Sequence, residues 1–122
     1  MLGSTRQIRV WAFSGPVDLR KGFDGLFGLV RSSLGQDPLA GDLFLFVSRN
    51  RKRAKVLLWD GTGLCIYAKR LEQGRFAAPW HRGSDRELSW TVSELQLFLE
   101  GNAAVGRIAL SPPEYRLKPL TT

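Results

Sequence analysis

The sequence predicts an α+β fold in which an antiparallel β-sheet of about four to five strands carries two helices packed on one side. Short runs of β-branched and aromatic residues, typical of strands, stand before and after one long segment whose apolar residues have helical spacing. The later runs are joined by short turns rich in Gly and Asp, which is typical of hairpins. The predicted order is therefore β-α-β-β-β-α. We expect a single domain over 1–103 and an irregular, proline-containing tail over 104–122.

The first predicted elements are a strand and a long helix. The strand covers Gln7–Phe13, and a Ser-Gly-Pro turn follows it. The helix is predicted from about Asp18, whose charge favours a first helical turn, to Leu34. Its apolar stripe consists of Leu19, Phe23, Leu26, Phe27, Val30 and Leu34. Three glycines spaced by three residues predict a smooth helix face against which another backbone packs: Gly22, Gly25 and Gly28.

Three further strands are predicted over Asp42–Ser48, Ala54–Asp60 and Leu64–Leu71. A turn centred on Gly61-Thr62 joins the last two, because glycine supplies the positive φ that a tight hairpin needs. This turn pairs Trp59 with Leu64. The same register sets Arg53 directly opposite Arg70. We expect Trp59 to lie on the core face of the hairpin, buried under the helix stripe.

A short strand and a second helix complete the predicted domain. The strand covers Glu87–Trp90. Thr91 and Glu94 have the spacing of a capping box, in which each side chain accepts a hydrogen bond from the other residue's backbone N–H. The helix that they open is expected to end at Gly101.

The positive charge of the chain is concentrated around the predicted hairpin. The formal net charge is +7, and the segment 49–75 holds eight basic residues against two acidic ones. We predict that these eight contact nucleic acid: Arg49, Arg51, Lys52, Arg53, Lys55, Lys69, Arg70 and Arg75. Such crowded cations repel each other, and a DNA backbone relieves the repulsion with release of counterions. The alternatives are a solvated loop that protects a sheet edge, and docking to an acidic protein.

The predicted contact is with the phosphate backbone of duplex DNA. Tyr67 is the only ring near the basic residues that is expected to lie off the core face. Proteins that bind single strands stack bases on several aromatic rings. The sequence therefore disfavours a single-strand platform.

Several other kinds of site lack the residues that they need. Cys65 and His81 are the only residues of their types, too few for a zinc site or an internal disulfide. Asp24, Asp60 and Glu72 are candidates for a metal-binding carboxylate trio of a nuclease, but each has a simpler structural explanation. We therefore expect no catalytic residues, no metal and no cofactor.

No membrane or export signal is apparent in the sequence. The longest uncharged apolar run is Leu43–Val47, far shorter than a membrane span. The first nine residues contain no apolar stretch of the kind found in signal peptides. A single cysteine suits a reducing compartment. We expect a cytoplasmic location.

Two ordered stretches are similar to the Orf2-type (TnpB) accessory proteins of the insertion-sequence-66 family of bacterial transposable elements. Asp18–Leu26 reads DLRKGFDGL and resembles the family's DMRKGFDGL motif. Lys55–Leu64 and Lys69–Phe76, followed by Pro79, resemble its second motif, which contains WDGTGL and KRLE. The resemblance implies a protein that is encoded beside a separate bacterial transposase, is needed for efficient transposition and has no assigned catalysis.

The first motif also draws attention to Arg20 and Lys21. In the predicted first turn of the helix their positive charges oppose the helix dipole, which indicates a second basic site or a site for a partner. The alternative is ordinary pairing of Lys21 with Asp18 or Asp24. The leading hypothesis is a non-enzymatic, DNA-binding accessory factor of transposition. The alternative hypothesis is an adaptor that binds the transposase and has little direct contact with DNA.

Overall fold

The structure is a computed structural model that describes residues 7–81 and 87–101, and a five-stranded sheet lies at its centre. The strands are β1 Val10–Phe13, β2 Leu43–Val47, β3 Arg53–Trp59, β4 Leu64–Arg70 and β5 Glu87–Trp90, in the spatial order β4-β3-β2-β1-β5. The predicted α+β class and number of strands are confirmed. The tail predicted for 104–122 lies outside the described residues.

The sheet is mixed, whereas the sequence predicted an antiparallel one. β1 and β2 pair in parallel, with Val10 beside Leu43, and the other three pairs are antiparallel. Parallel neighbours need a crossover connection of a dozen or more residues. The segment 14–42, which contains the first helix, provides that connection. The long link between the two strands, rather than their composition, accounts for the parallel pair.

The first helix begins later than predicted. Helix α1 covers Phe23–Leu29 and continues as a π-helical turn over Val30–Leu34. Gly22 is its N-cap residue, because residues 18–21 already form a separate turn in which Lys21 N–H donates to the Asp18 carbonyl over 3.1 Å. The predicted start at Asp18 is therefore wrong. Arg20 and Lys21 precede the helix and do not lie in its first turn.

The second helix has the predicted cap. Helix α2 covers Val92–Leu99. Glu94 N–H donates to the Thr91 hydroxyl over 3.1 Å, and Thr91 N–H donates to the Glu94 carboxylate over 2.8 Å. Gly101 follows the helix with φ 91°, the left-handed region that glycine tolerates best. Neither helix of the described chain has the length and apolarity to cross a membrane.

The two helices cover opposite faces of the sheet, so the prediction that both lie on one side is wrong. The α1 segment packs Leu26 and Val30 on the face that carries Phe44 and Leu57. The α2 side chains pack on the other face, together with the segment around Phe76. The reason lies in β2, where Phe44, Leu45, Phe46 and Val47 are all buried. A strand that is apolar on both faces needs cover on both sides.

The predicted hairpin register is confirmed through all seven pairs of β3 and β4. Leu57 is fully buried, but Trp59 is only partly buried. Because α1 begins a turn later than expected, Phe23 remains 49% exposed and Leu26 becomes its first buried residue. The expected close packing of Trp59 under the stripe is therefore not seen.

The glycine face of α1 does not receive another backbone in the described part of the chain. A Cβ atom built on Gly22 or on Gly28 would meet no atom within 4 Å. On Gly25 the nearest atom would be Lys21 Cβ at 3.0 Å. The expectation that these glycines pack closely against a backbone is wrong for the described residues.

Candidate nucleic-acid interface

The turn between β2 and β3 is shaped by its own polar side chains. The Asn50 side-chain oxygen accepts hydrogen bonds from the Ser48 hydroxyl at 2.9 Å and from Lys52 N–H at 3.0 Å. Ser48 Oγ also accepts a bond from Arg53 N–H at 3.2 Å. Side chains that bond to nearby backbone in this way replace the missing ladder bonds of a turn. The turn thereby fixes the backbone from which Arg49 and Arg53 project.

The loop before α1 lies beside this turn. Val17 N–H donates to the Val47 carbonyl over 3.0 Å, which holds the start of the loop against β2. Farther along, Lys55 Nζ donates to the Lys21 carbonyl over 3.1 Å. These two bonds bring the Arg20–Lys21 pair to the hairpin. The sequence predicted separate basic sites at the hairpin and at Arg20–Lys21, but the fold brings them side by side.

Together these segments form what we call the basic groove. It consists of two adjoining hollows that share Leu19 and Arg53. The first runs between the loop before α1 and the β2–β3 turn, and the second runs along the ends of β3 and β4. The basic residues that line the groove are Arg20, Arg49, Arg53, Lys55, Lys69 and Arg70. Its acidic residues are Asp18 and Glu72.

Arg53 and Arg70 face each other at the open end of the hairpin, as predicted. Asp60 N–H donates to the Gly63 carbonyl, and this bond at the turn fixes the alternation of the ladder. By that alternation the two arginines form a pair without mutual backbone bonds, in which Cα atoms are only about 4.5 Å apart. Arg70 donates to the Glu72 carboxylate over 3.2 Å. Arg53 has no side-chain hydrogen bond or ion pair within the described residues.

The comparisons with known proteins agree with the two sequence motifs. Residues 8–106 match the family described as "IS66 Orf2 like protein". This chain belongs to the IS66 Orf2-like family. It is 37% identical over 101 residues to the uncharacterized protein y4jC of Sinorhizobium fredii, an alignment that covers 83% of this chain and 85% of that protein. It is 40% identical over 98 residues to y4hO of the same organism, covering 76% and 85% respectively. No solved structure matches.

The protein is therefore an accessory protein associated with transposition of an IS66-type insertion sequence. The family membership confirms the resemblance seen in the sequence. It assigns no chemistry to the individual side chains of the groove.

Two of the predicted contact residues serve the fold of this IS66 Orf2-like chain. Arg51 adopts φ 61° and donates from Nη1 to the Phe76 carbonyl over 3.3 Å. Lys69 donates from Nζ to the Leu99 carbonyl over 2.6 Å, at the negative end of the α2 dipole. Lys52 and Arg75 are exposed and line neither hollow. Five of the eight residues therefore line the groove, Arg49, Arg53, Lys55, Lys69 and Arg70, and of these Lys69 is bonded to the Leu99 carbonyl.

An ion pair inside the groove was not predicted in this form. Arg20 Nη2 lies 2.7 Å from the Asp18 carboxylate, and Arg20 N–H donates to the same group over 3.0 Å. These bonds from Arg20 hold the pKa of the Asp18 carboxyl well below its usual range. The sequence suggested ion pairing for Lys21 and not for Arg20. The D-x-R spacing, with an Asp that accepts a bond two residues on, was the signal that could have identified the pair.

The acidic residues considered as a nuclease site do not form one. Asp60 accepts bonds from Thr62 N–H and Gly63 N–H, each at 2.9 Å, and these lower its pKa to about 2. The bond from Cys65 Sγ to the same carboxylate raises the pKa of the thiol. Within residues 7–81 and 87–101 no three His, Cys, Asp or Glu side chains are placed to hold a metal ion. Asp60 therefore acts as a turn former, and it does not meet Asp24 and Glu72.

Proposed function

We propose that this protein is a non-enzymatic, DNA-binding accessory factor of transposition, which holds the phosphate backbone of duplex DNA in the basic groove. One observation carries the proposal. Arg49 and Arg53 lie in one groove with Arg20 and Arg70, and neither Arg49 nor Arg53 has an acidic partner within the described residues. Uncompensated arginines held close together form a site for a bound anion.

The physical basis is electrostatic. Bringing six cationic side chains together against two acidic ones raises the free energy of the folded chain, since like charges repel at short range. A DNA backbone removes that cost and releases its condensed counterions to solution. The planar guanidinium group also forms paired hydrogen bonds with phosphate oxygens, which favours arginine in such sites. The repulsion between Arg53 and Arg70, which are paired across the hairpin, would be relieved by a bound phosphate.

The groove supports backbone binding rather than base reading. Its cations come from a loop, a turn and the ends of two strands, and none of these elements projects as a helix or ribbon that could enter the major groove. Contacts to phosphate position a protein on DNA and carry no sequence information. We therefore expect similar affinities for duplexes of unrelated sequence.

A titration of the full chain with fluorescent duplex DNA at several salt concentrations tests the proposal. Each phosphate contact contributes about −0.9 to the slope of log K against log salt concentration, so four to five contacts give a slope of about −4. A single-stranded oligonucleotide of equal length serves as the comparison. Binding that does not weaken with salt would contradict a phosphate site. Cleavage of the duplex with Mg²⁺ or Mn²⁺, lost in Glu72→Gln, would contradict the non-enzymatic role.

The adaptor hypothesis is a second proposal with a distinct readout. Arg20 and Lys21 were predicted to form a second basic site or a site for a partner, and in the structure Arg20 lines the groove while the Lys21 carbonyl accepts a bond from Lys55 Nζ. An acidic segment of the transposase is an anion that could occupy the same place. Loss of transposase binding in groove variants whose DNA affinity is unchanged would favour the adaptor.

A further inference from the structure

Strand β4 forms one edge of the sheet. Among residues 7–81 and 87–101 its only neighbour is β3, with which it pairs through seven consecutive residues, Leu64–Arg70, without a bulge. An edge strand presents a row of backbone N–H and C=O groups that another strand can pair with. The length of β4 and its regular register make this edge well suited to such pairing.

The register shows which backbone groups point away from the sheet. Asp60 N–H donates to the Gly63 carbonyl, and Leu71 N–H donates to the Lys52 carbonyl, so the ladder bonds fall on the odd-numbered residues of β4. The outward backbone groups therefore belong to Leu64, Ile66, Ala68 and Arg70. Within the described residues, none of these outward groups has a hydrogen-bond partner.

The sequence and pairing of β4 itself contain none of the usual protections of an edge. It contains no proline, no bulge and no charge among Leu64–Ala68. Its two cations, at the far end, are held by other groups, because Lys69 Nζ donates to Leu99 and Arg70 pairs with Glu72. Tyr67 is 50% exposed beside this edge. The centre of the strand is thus uncharged.

We propose that β4 pairs in antiparallel fashion with β4 of a second copy of this chain, which joins the two sheets into one. Full overlap of the seven residues centres the two-fold axis on Tyr67. Leu64 of one copy then pairs with Arg70 of the other, and Ile66 pairs with Ala68. All the outward groups of both strands gain backbone partners in this register. The two Tyr67 rings meet as a cross-strand aromatic pair.

The charges on the strand favour this register. Arg70 of one copy lies six strand positions from Arg70 of the other, about 20 Å at 3.3 Å per residue. That separation exceeds the Debye length of about 8 Å at physiological salt, so the two arginines are largely screened from each other. Lys69 is placed opposite Cys65, so no two cations of the strands face each other directly. The strand can therefore pair with its own copy without opposed like charges, whereas an acidic peptide would find its cations already paired.

The dimer has a consequence for the basic groove. A two-fold axis that relates antiparallel strands of one continuous sheet is perpendicular to that sheet. The faces covered by α1 in the two copies, and the grooves beside them, would then lie on the same side of the dimer. The pairing itself does not depend on DNA binding, so it can be tested in the absence of DNA.

Sedimentation equilibrium of the full chain tests the proposal through Ala68. The parent chain should show a mass that rises with concentration from 13.7 kDa towards twice that value. Ala68 is exposed and its N–H points outward, so Ala68→Pro removes an intermolecular donor and leaves the bonds to β3 in place. This variant should remain a monomer with the circular dichroism of the parent. Ala68→Val keeps the N–H and should still form the dimer.

A second pair of variants leaves the backbone unchanged. Tyr67→Lys places two like charges across the axis and should weaken the dimer most at low salt, whereas Tyr67→Phe should preserve it. A parent chain that is monomeric from micromolar to millimolar concentration would overturn the proposal, as would self-association of Ala68→Pro equal to that of the parent. Slow amide exchange at Ile66 and Ala68 in a monomer would mean that the same chain covers the edge, which also overturns it.

Discussion

Removal of the two unpaired groove arginines tests the DNA-binding proposal most directly. We consider the double variant Arg49→Gln, Arg53→Gln. Both side chains are exposed and neither has a side-chain hydrogen bond within the described residues, so the fold should tolerate the change. Its stability should be unchanged or slightly higher, because Arg53 no longer faces Arg70 across the hairpin. Urea denaturation provides that check before any DNA measurement.

The expected loss of affinity follows from counterion release. Two phosphate contacts account for about 1.8 units of the slope of log K against log salt concentration. At 0.1 M salt this amounts to roughly a sixty-fold loss of affinity, if each arginine contacts one phosphate. The loss should be equal for duplexes of unrelated sequence. Fluorescence anisotropy over a series of salt concentrations measures both quantities.

A matched control has the same net charge as the groove variant. Arg9→Gln with Arg31→Gln also removes two positive charges, and each of these arginines lies over an aromatic ring outside the groove. Arg9 precedes β1 at the end of the strands opposite the β2–β3 turn, about 15 Å away at the rise of a strand. The control should weaken binding only slightly and leave the slope nearly unchanged. Equal effects of the two double variants would refute a localised site.

Three further predictions concern single residues. Asp18→Asn should raise DNA affinity and steepen its salt dependence, because it frees the Arg20 side chain while the Asn side chain can still accept the Arg20 N–H bond. The control Asp24→Asn removes an equal charge without freeing an arginine, so its effect in the same anisotropy assay should be smaller. Leu57→Ala should lower the unfolding free energy by about 2–5 kcal/mol, and Trp59→Ala should lower it by less than the roughly 3–5 kcal/mol typical of a fully buried tryptophan. A loss for Trp59→Ala above that range in urea denaturation would contradict the partial burial of this side chain. The pKa of Asp60 is about 2 in the folded chain against about 3.9 in unfolded chains, so its contribution to stability is present above pH 4 and is lost as the pH falls towards 2. The melting temperature of Asp60→Asn should therefore fall less over that pH interval than the melting temperature of the parent.

The local parts of the fold were predictable from the sequence, because short-range chemistry determines them. The turn at Gly61-Thr62 set the register of the hairpin to the residue, and the Thr91–Glu94 box set the start of α2. The partition of the helices between the two faces depends on contacts that are distant in sequence. The run LFLFV of β2 contained the relevant signal, since it is apolar at every position and not at alternate ones.

The candidate site was predictable as a region but not residue by residue. Charge density along the chain located the hairpin, yet the role of each cation depends on a partner far away in sequence. Lys69 finds a helix carbonyl 30 residues on, and Arg51 finds a carbonyl 25 residues on. Neither partner can be recognised from the composition around the cation. The same limit concealed the contact of Lys55 with the Lys21 carbonyl, 34 residues before it.

The distinction between cations with and without partners changes which substitution tests DNA binding. Replacing Arg51 by Ala leaves a residue with a Cβ at φ 61° and removes the bond to the Phe76 carbonyl, so any loss of DNA affinity would mix a damaged turn with a missing contact. Arg53, two residues later in sequence, makes no such bond and faces the groove. A variant at Arg53 that binds DNA weakly, beside an Arg51 variant that unfolds more readily, would separate the binding role of this turn from its structural role.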